Sequence, residues 1–128
     1  MNAKRRFRLS ATVLDSLDAN ALAGFYETLL GWHVKSEEQG WVMLESPDGG
    51  AGLSFATNAT YVPPVWPAGE GDQQMSMHLD IAVDELDATS NFAQSLGATV
   101  AAFQPQDDVR VHFDPAGHPF CLFLQGAT

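Results

Sequence analysis

The stretch 17–34, LDANALAGFYETLLGWHV, decides how the chain is assembled. Leu22, Phe25, Tyr26, Leu29 and Leu30 recur at the spacing that gathers apolar side chains on one face of an α-helix. Asp18 is placed to accept from the free N–H groups of the first turn, and Gly31 to end the helix in the left-handed conformation. The plan returns at 83–100, VDELDATSNFAQSLGATV, with an acidic cap region at Asp84 to Asp87, a stripe including Phe92, Ala93 and Leu96, and then Gly97. The interval from Leu17-Asp18 to Leu30-Gly31 exceeds that from Leu86-Asp87 to Leu96-Gly97, so the first helix should be about one turn longer.

The duplication extends outward from both helices. Strand-like segments, FRLSATVL and MHLDIAV, precede them. WVMLESPDGGAGLSFAT and VRVHFDPAGHPFCLFLQ follow, each a strand, a Pro/Gly turn and a second strand. Each half is then strand, helix and about three strands, which makes the chain α+β with two tandem βαβββ modules. Module one covers about 7–58, a crossover about 59–75, and module two about 76–125. A unit of ~60 residues is marginal alone, whereas two side by side can share a core or enclose a groove.

The crossover, within TNATYVPPVWPAGEGDQQ, carries Pro63, Pro64 and Pro67 around Trp66, which forbids regular structure, and Gly69 and Gly71 behind it. Two readings stand: a stiffened linker with Trp66 on the nearest core, or a rim laying Tyr61 and Trp66 over a ligand.

Charge narrows the functions. Lys4, Arg5, Arg6 and Arg8 precede the first acid, Asp15, so the rest of the chain sets only Lys35 and Arg110 against all sixteen acids. Such a surface repels phosphate backbones and anionic lipid, which argues against nucleic-acid and membrane partners and tolerates a cationic small molecule. Solubility alone also accounts for the acids. No signal-peptide or membrane-length apolar run is visible, and one cysteine excludes an internal disulfide, so a reducing, cytoplasmic setting is expected.

FYETLLGW after a capped strand end, HLDIAVDELDA opening the second half and DPAGHPFCLFL near the end resemble the vicinal oxygen chelate superfamily. That group contains glyoxalases, bleomycin resistance proteins and extradiol dioxygenases, and its small glyoxalase-like bacterial members are the most similar. The resemblance spans roughly Leu9 to Gln125. It implies a curved mixed β-sheet forming a groove, helices packed outside, and a homodimer.

The resemblance also implies four inward ligand positions for a divalent metal, usually His, Glu or Gln. In the opening strand of module two the position falls on His78, and in its last strand on Cys121. In module one it falls at or near Ala11 and on Ser54, or Leu53 if the register slips by one. One imidazole, one thiol and at best one hydroxyl are too few for a preformed site, so neither metal nor other cofactor is expected. His112, which precedes the turn, and His118, within it, are not expected to share a groove with His78, and His33 follows the first helix; each is expected to be a turn hydrogen-bonder or a surface residue rather than a ligand.

Cys121 lies between Phe120 and Leu122, which favours a small buried thiol over a nucleophile, although a Cys121 and His78 pair is the minority alternative. A groove without metal suits non-covalent binding of a small cationic or aromatic molecule, with Phe55, Tyr61, Trp66 and Trp41 as candidate walls and His78, Ser54 and Cys121 as polar contacts. The rival is a glyoxalase-like lyase, isomerase or dioxygenase-related enzyme, with His78 as acid/base or with a metal completed by substrate or a partner chain.

Overall fold

A computed structural model describes residues 5–125; residues 1–4 and 126–128, including Lys4 of the basic cluster, lie outside the described residues. Module one contributes β1 (Ala11–Ser16), α1 (Ala19–Leu30), β2 (His33–Glu38), β3 (Trp41–Glu45) and β4 (Gly52–Thr57). Module two contributes β5 (Leu79–Val83), α2 (Leu86–Ser95), β6 (Thr99–Val100), β7 (Val109–Phe113) and β8 (Pro119–Leu124). The duplicated α+β plan read from the sequence is therefore present in full.

Each module folds its strands into one mixed sheet, ordered β1-β4-β3-β2 and β5-β8-β7-β6. The two pairings next to the seam are parallel: Val13 sits opposite Ser54 and Leu14 opposite Phe55 in module one, while Asp80 sits opposite Cys121 and Ile81 opposite Leu122 in module two. These registers make Val13 the counterpart of Asp80 and Ser54 the counterpart of Cys121.

Helix α1 forms where the apolar stripe predicts. The Asp18 carboxylate accepts from Ala21 N at 3.1 Å, and Gly31 closes the helix at φ 69° with its N–H bonded to Glu27 O. Helix α2 has Glu85 at its N-cap without a side-chain bond, and Asp87 in the first turn instead complements the helix dipole. The helices are 12 and 10 residues long, so the expected difference has the right sign and about half the size.

Both modules feed one apolar core. Tyr26 and Phe55, each 0% exposed, stack at 5.7 Å, and Phe25 and Phe120 meet this pair edge-on. Val42, Leu44, Leu53 and Phe55 on one sheet and Phe120 and Leu122 on the other belong to the same buried cluster, each worth about 1.5–3 kcal/mol when fully buried. His112 joins the core, stacked on Phe120 at 5.1 Å. It is a satisfied core histidine rather than a surface or turn residue, with Nε2 2.8 Å from Ser90 Oγ and Nδ1 3.1 Å from Arg110 O.

The crossover is tied down by the turn between β7 and β8. Tyr61 Oη donates to Ala116 O at 2.8 Å, and Pro63 lies so close to Gly117, at φ 94°, that a Cβ there would approach it to 2.8 Å. Only glycine meets both demands, the left-handed backbone and the close contact.

Candidate functional site

Strand alternation decides which side chains can meet. In β8, Phe120 and Leu122 point into the helix-covered core, so Cys121 points to the helix-free face, where it clusters with Ala101 and Val111. In β5, Leu79 and Ile81 pack on the core, so Asp80 shares the face of Cys121, and His78, two residues earlier, joins them. One ligand atom from each of His78, Asp80 and Cys121 falls within 4.8 Å of the others.

Asp80 is the hub of this group. Its Oδ1 lies 3.0 Å from His78 Nε2. Burial, then the charge of Asp80 and a hydrogen bond to it, push the Cys121 thiol up to about 11, so it remains protonated at neutral pH. Such a thiol is a weak donor and an inert nucleophile, in keeping with the reading of a small buried residue. Asp80 itself is largely open to solvent and keeps lone pairs for a ligand.

The aromatic residues divide. Trp66 is brought to this face: it packs on the Ala101, Val111 and Cys121 cluster and meets Phe103 with ring centroids 5.7 Å apart. Phe55 is not, because it is the immediate neighbour of Ser54 in β4 and adjacent strand residues face opposite sides; it lies wholly in the core. Ser54 occupies the helix-free face of its own sheet, in a separate pocket with Arg8 and Lys35. Trp41 alternates with the core residues Val42 and Leu44 and so faces away from α1.

His118 corrects the sequence reading, because it and His78 line the same cavity. That cavity, about 190 Å³, opens between β1 and β5 with Thr12, Leu14, Tyr26, Met77 and Asp80 also on its wall. His118 is held from behind. Its Nδ1 lies 2.8 Å from Asp114 Oδ2, and Asp114, wholly buried as a side chain, also accepts from Tyr26 Oη at 2.7 Å and from the N–H groups of Ala116 and His118. Tyr61 Oη lies 3.3 Å from His118 Nε2, and burial with the charges of Asp114 and Asp15 pushes the Tyr61 phenol up to about 12. Tyr61 and His118 also line a more polar space of about 360 Å³ beneath the crossover.

Three participants were missed in the sequence. Asp80 was signalled by its period-two spacing from His78 in HLDIAV, which places both on one strand face. Asp114 was not singled out and His118 was placed only within the turn, yet that turn brings the imidazole to the wall of the cavity shared with His78.

A divalent ion of the kind the resemblance implies would draw donors from both modules. The module-one counterparts Ala11, Val13 and Ser54 supply a single hydroxyl, and in module two Asp80 is already shared by an imidazole and a thiol that holds its proton. An ion held there would displace the Cys121 proton, and because module one offers only that one hydroxyl the grouped donors His78, Asp80 and Cys121 come from module two alone and do not make up the two-module set that the resemblance implies.

Residues 11–123 match the glyoxalase-like domain family. The chain belongs to that family. Among solved structures, this glyoxalase-like chain is similar to a glyoxalase/bleomycin resistance protein/dioxygenase family enzyme from Burkholderia phytofirmans PsJN, with a TM-score of 0.70 and 18% identity over 92% of this chain and 98% of that one. It is similar to a glyoxalase/dioxygenase from Nostoc punctiforme, with a TM-score of 0.66 and 19% identity over 97% of each chain. It is also similar to TnmS3, an antibiotic binding protein from Streptomyces sp. CB03234, with a TM-score of 0.62 and 16% identity over 95% and 98%. No curated protein matches the sequence. These likenesses place the fold in the vicinal oxygen chelate superfamily.

Proposed function

We propose that this glyoxalase-like protein binds a small cationic, aromatic molecule, without a resident metal, on the helix-free face of the module-two sheet. The supporting observation is that Cys121 links the two halves of that face: the open Asp80 carboxylate lies beside its thiol, and Trp66, in contact with Phe103, packs on the cluster to which Cys121 belongs. A carboxylate beside aromatic faces attracts an ammonium-bearing ring through charge and cation–π contact together. His78 and Cys121 complete the polar floor, and Tyr61 holds the crossover that carries Trp66. Ser54 lines the separate pocket of module one and Phe55 lies in the core, so neither reaches this face.

The sign of the protein's charge supports a cationic ligand, and a protein of similar fold, TnmS3, is an antibiotic binding protein. In this reading the protein works in the cytoplasm as a homodimer; exposed Val13, Leu17 and Met77 supply apolar surface for a second copy.

Thermal shift of chelator-treated protein with amine-bearing aromatics tests the reading. Stabilisation by several degrees, weakened in Trp66→Ala and Asp80→Asn, is expected. Near-stoichiometric nickel or zinc in protein purified without chelator would overturn the metal-free assignment.

The enzyme reading, a glyoxalase-like lyase or isomerase with His78 as acid/base, is favoured by one observation: Asp80 orients His78 Nε2 at 3.0 Å, as a base-orienting carboxylate does. Turnover lost in His78→Ala with ligand binding preserved would establish it.

A further inference from the structure

The module-one sheet carries a pocket of opposite character. It encloses about 60 Å³, room for a single small group, and is lined by Arg8, Lys35, Ser10, Ser54, Ser46 and Glu45 together with the glycines of the turn between β3 and β4. The chain has six basic residues, and among the described residues two of them converge here, whereas Arg110 is engaged by Asp87 at 2.9 Å.

Each wall has a local cause. Arg8 and Ser10 are two apart on the extended segment entering β1, which Gly52 N–H fastens by donating to Ser10 O at 2.9 Å. The register between β2 and β3 slips between Val34 and Ser36, so Lys35 is an extra residue in the ladder, and such a bulge re-aims a side chain. Ser54 is 1% exposed and lines the pocket, in the place that Cys121 occupies in module two.

The turn does not supply the recognition. The N–H groups of Gly49, Gly50 and Gly52 are bonded to Ser46 O, Asp48 Oδ1 and Ser10 O, and Ser46 Oγ donates to Asp48 Oδ1. What is left is a guanidinium, an ammonium and the hydroxyls of Ser10 and Ser54, with Glu45 also on the wall. Two cations and two hydroxyls around a space of this size match a tetrahedral oxyanion.

We propose that this pocket is an oxyanion site that takes a phosphate or sulfate group, either as the free ion or as the anionic end of a small molecule. It lies in the other module from the Asp80 face and does not depend on the reading of that face.

The test is thermal shift and isothermal titration of the full chain with inorganic phosphate, ionic strength being matched with chloride. Saturable stabilisation with millimolar half-saturation is expected. Arg8→Gln and Lys35→Gln should each weaken it about tenfold, the loss of one charge-assisted hydrogen bond. Both residues are exposed, so the variants keep the fold, and circular dichroism checks this. Both should also keep the Asp80-dependent response to amines, so failure here is distinct from failure of the groove reading. Phenyl phosphate is the second arm: binding equal to that of phosphate identifies a free-ion site, and tighter binding a phosphomonoester site, each upholding the pocket. Equal stabilisation by phosphate and chloride, or unchanged phosphate affinity in both Arg8→Gln and Lys35→Gln, would overturn the proposal.

Discussion

Asp80 joins an imidazole to a buried thiol, so its replacement acts on both neighbours at once. With the carboxylate present, Cys121 should react with iodoacetamide at pH 8 far more slowly than an exposed thiol, because burial and Asp80 together hold its proton to about 11. Asp80→Asn removes the negative neighbour, and alkylation measured against pH should then begin at lower pH; an unchanged profile would contradict the assigned cause. His112 offers a second residue-scale reading. Burial lowers its pKa below the ordinary 6.5, so the unfolded chain binds the proton more readily than the folded one. Its contribution is complete above pH 6.5 and is lost as pH falls from there toward the lower folded value. Denaturant titrations at pH 7.5 and pH 5.5 should show this loss, and His112→Gln, which carries no titrating group, should reduce the difference between them.

At the scale of elements, the turn between β7 and β8 organises more than it connects. Asp114 ties α1 of one module, through Tyr26, to His118 of the other, and Tyr61 ties the crossover to the same turn. Tyr26→Phe leaves a buried carboxylate oxygen short of one donor and should cost about 1–3 kcal/mol in chemical denaturation. Gly117→Ala should cost a similar ~1–3 kcal/mol for its left-handed backbone and should also displace Pro63, which would appear as faster proteolysis of the crossover.

These elements show what a single sequence discloses. Helix α1 was legible because stripe, cap and terminator agree within one stretch. The duplication was legible because its punctuation recurs in order. The Tyr26 to Asp114 bond was not, since it joins residues 88 positions apart and depends on how two sheets meet. Phe55 was misplaced on the ligand face for a nearer reason: it and Ser54 are strand neighbours, and a single alternating strand cannot present both to one side. The same alternation, applied to HLDIAV, would have disclosed Asp80.

For the whole molecule, the two modules share a plan and differ in chemistry. The helix-free face of module two gathers Asp80, His78 and Trp66, while the corresponding face of module one gathers Arg8, Lys35 and Ser54. Two of the few cations of a net acidic protein thus line one pocket of module one. Sedimentation at micromolar concentration should give twice the 13.8 kDa chain mass, as the homodimer reading requires; a monomer would remove that part of it.

In the proposed reading the module-two face recognises a cation on an aromatic body through Asp80, with no metal between them. Isothermal titration of chelator-treated protein with tryptamine and with indole-3-acetate, which carry the same ring and opposite charges, tests it most directly. Tryptamine should bind and indole-3-acetate should not, and Asp80→Asn should erase the difference. Equal affinity for the two, or binding that appears only when a divalent metal is restored, would contradict the account.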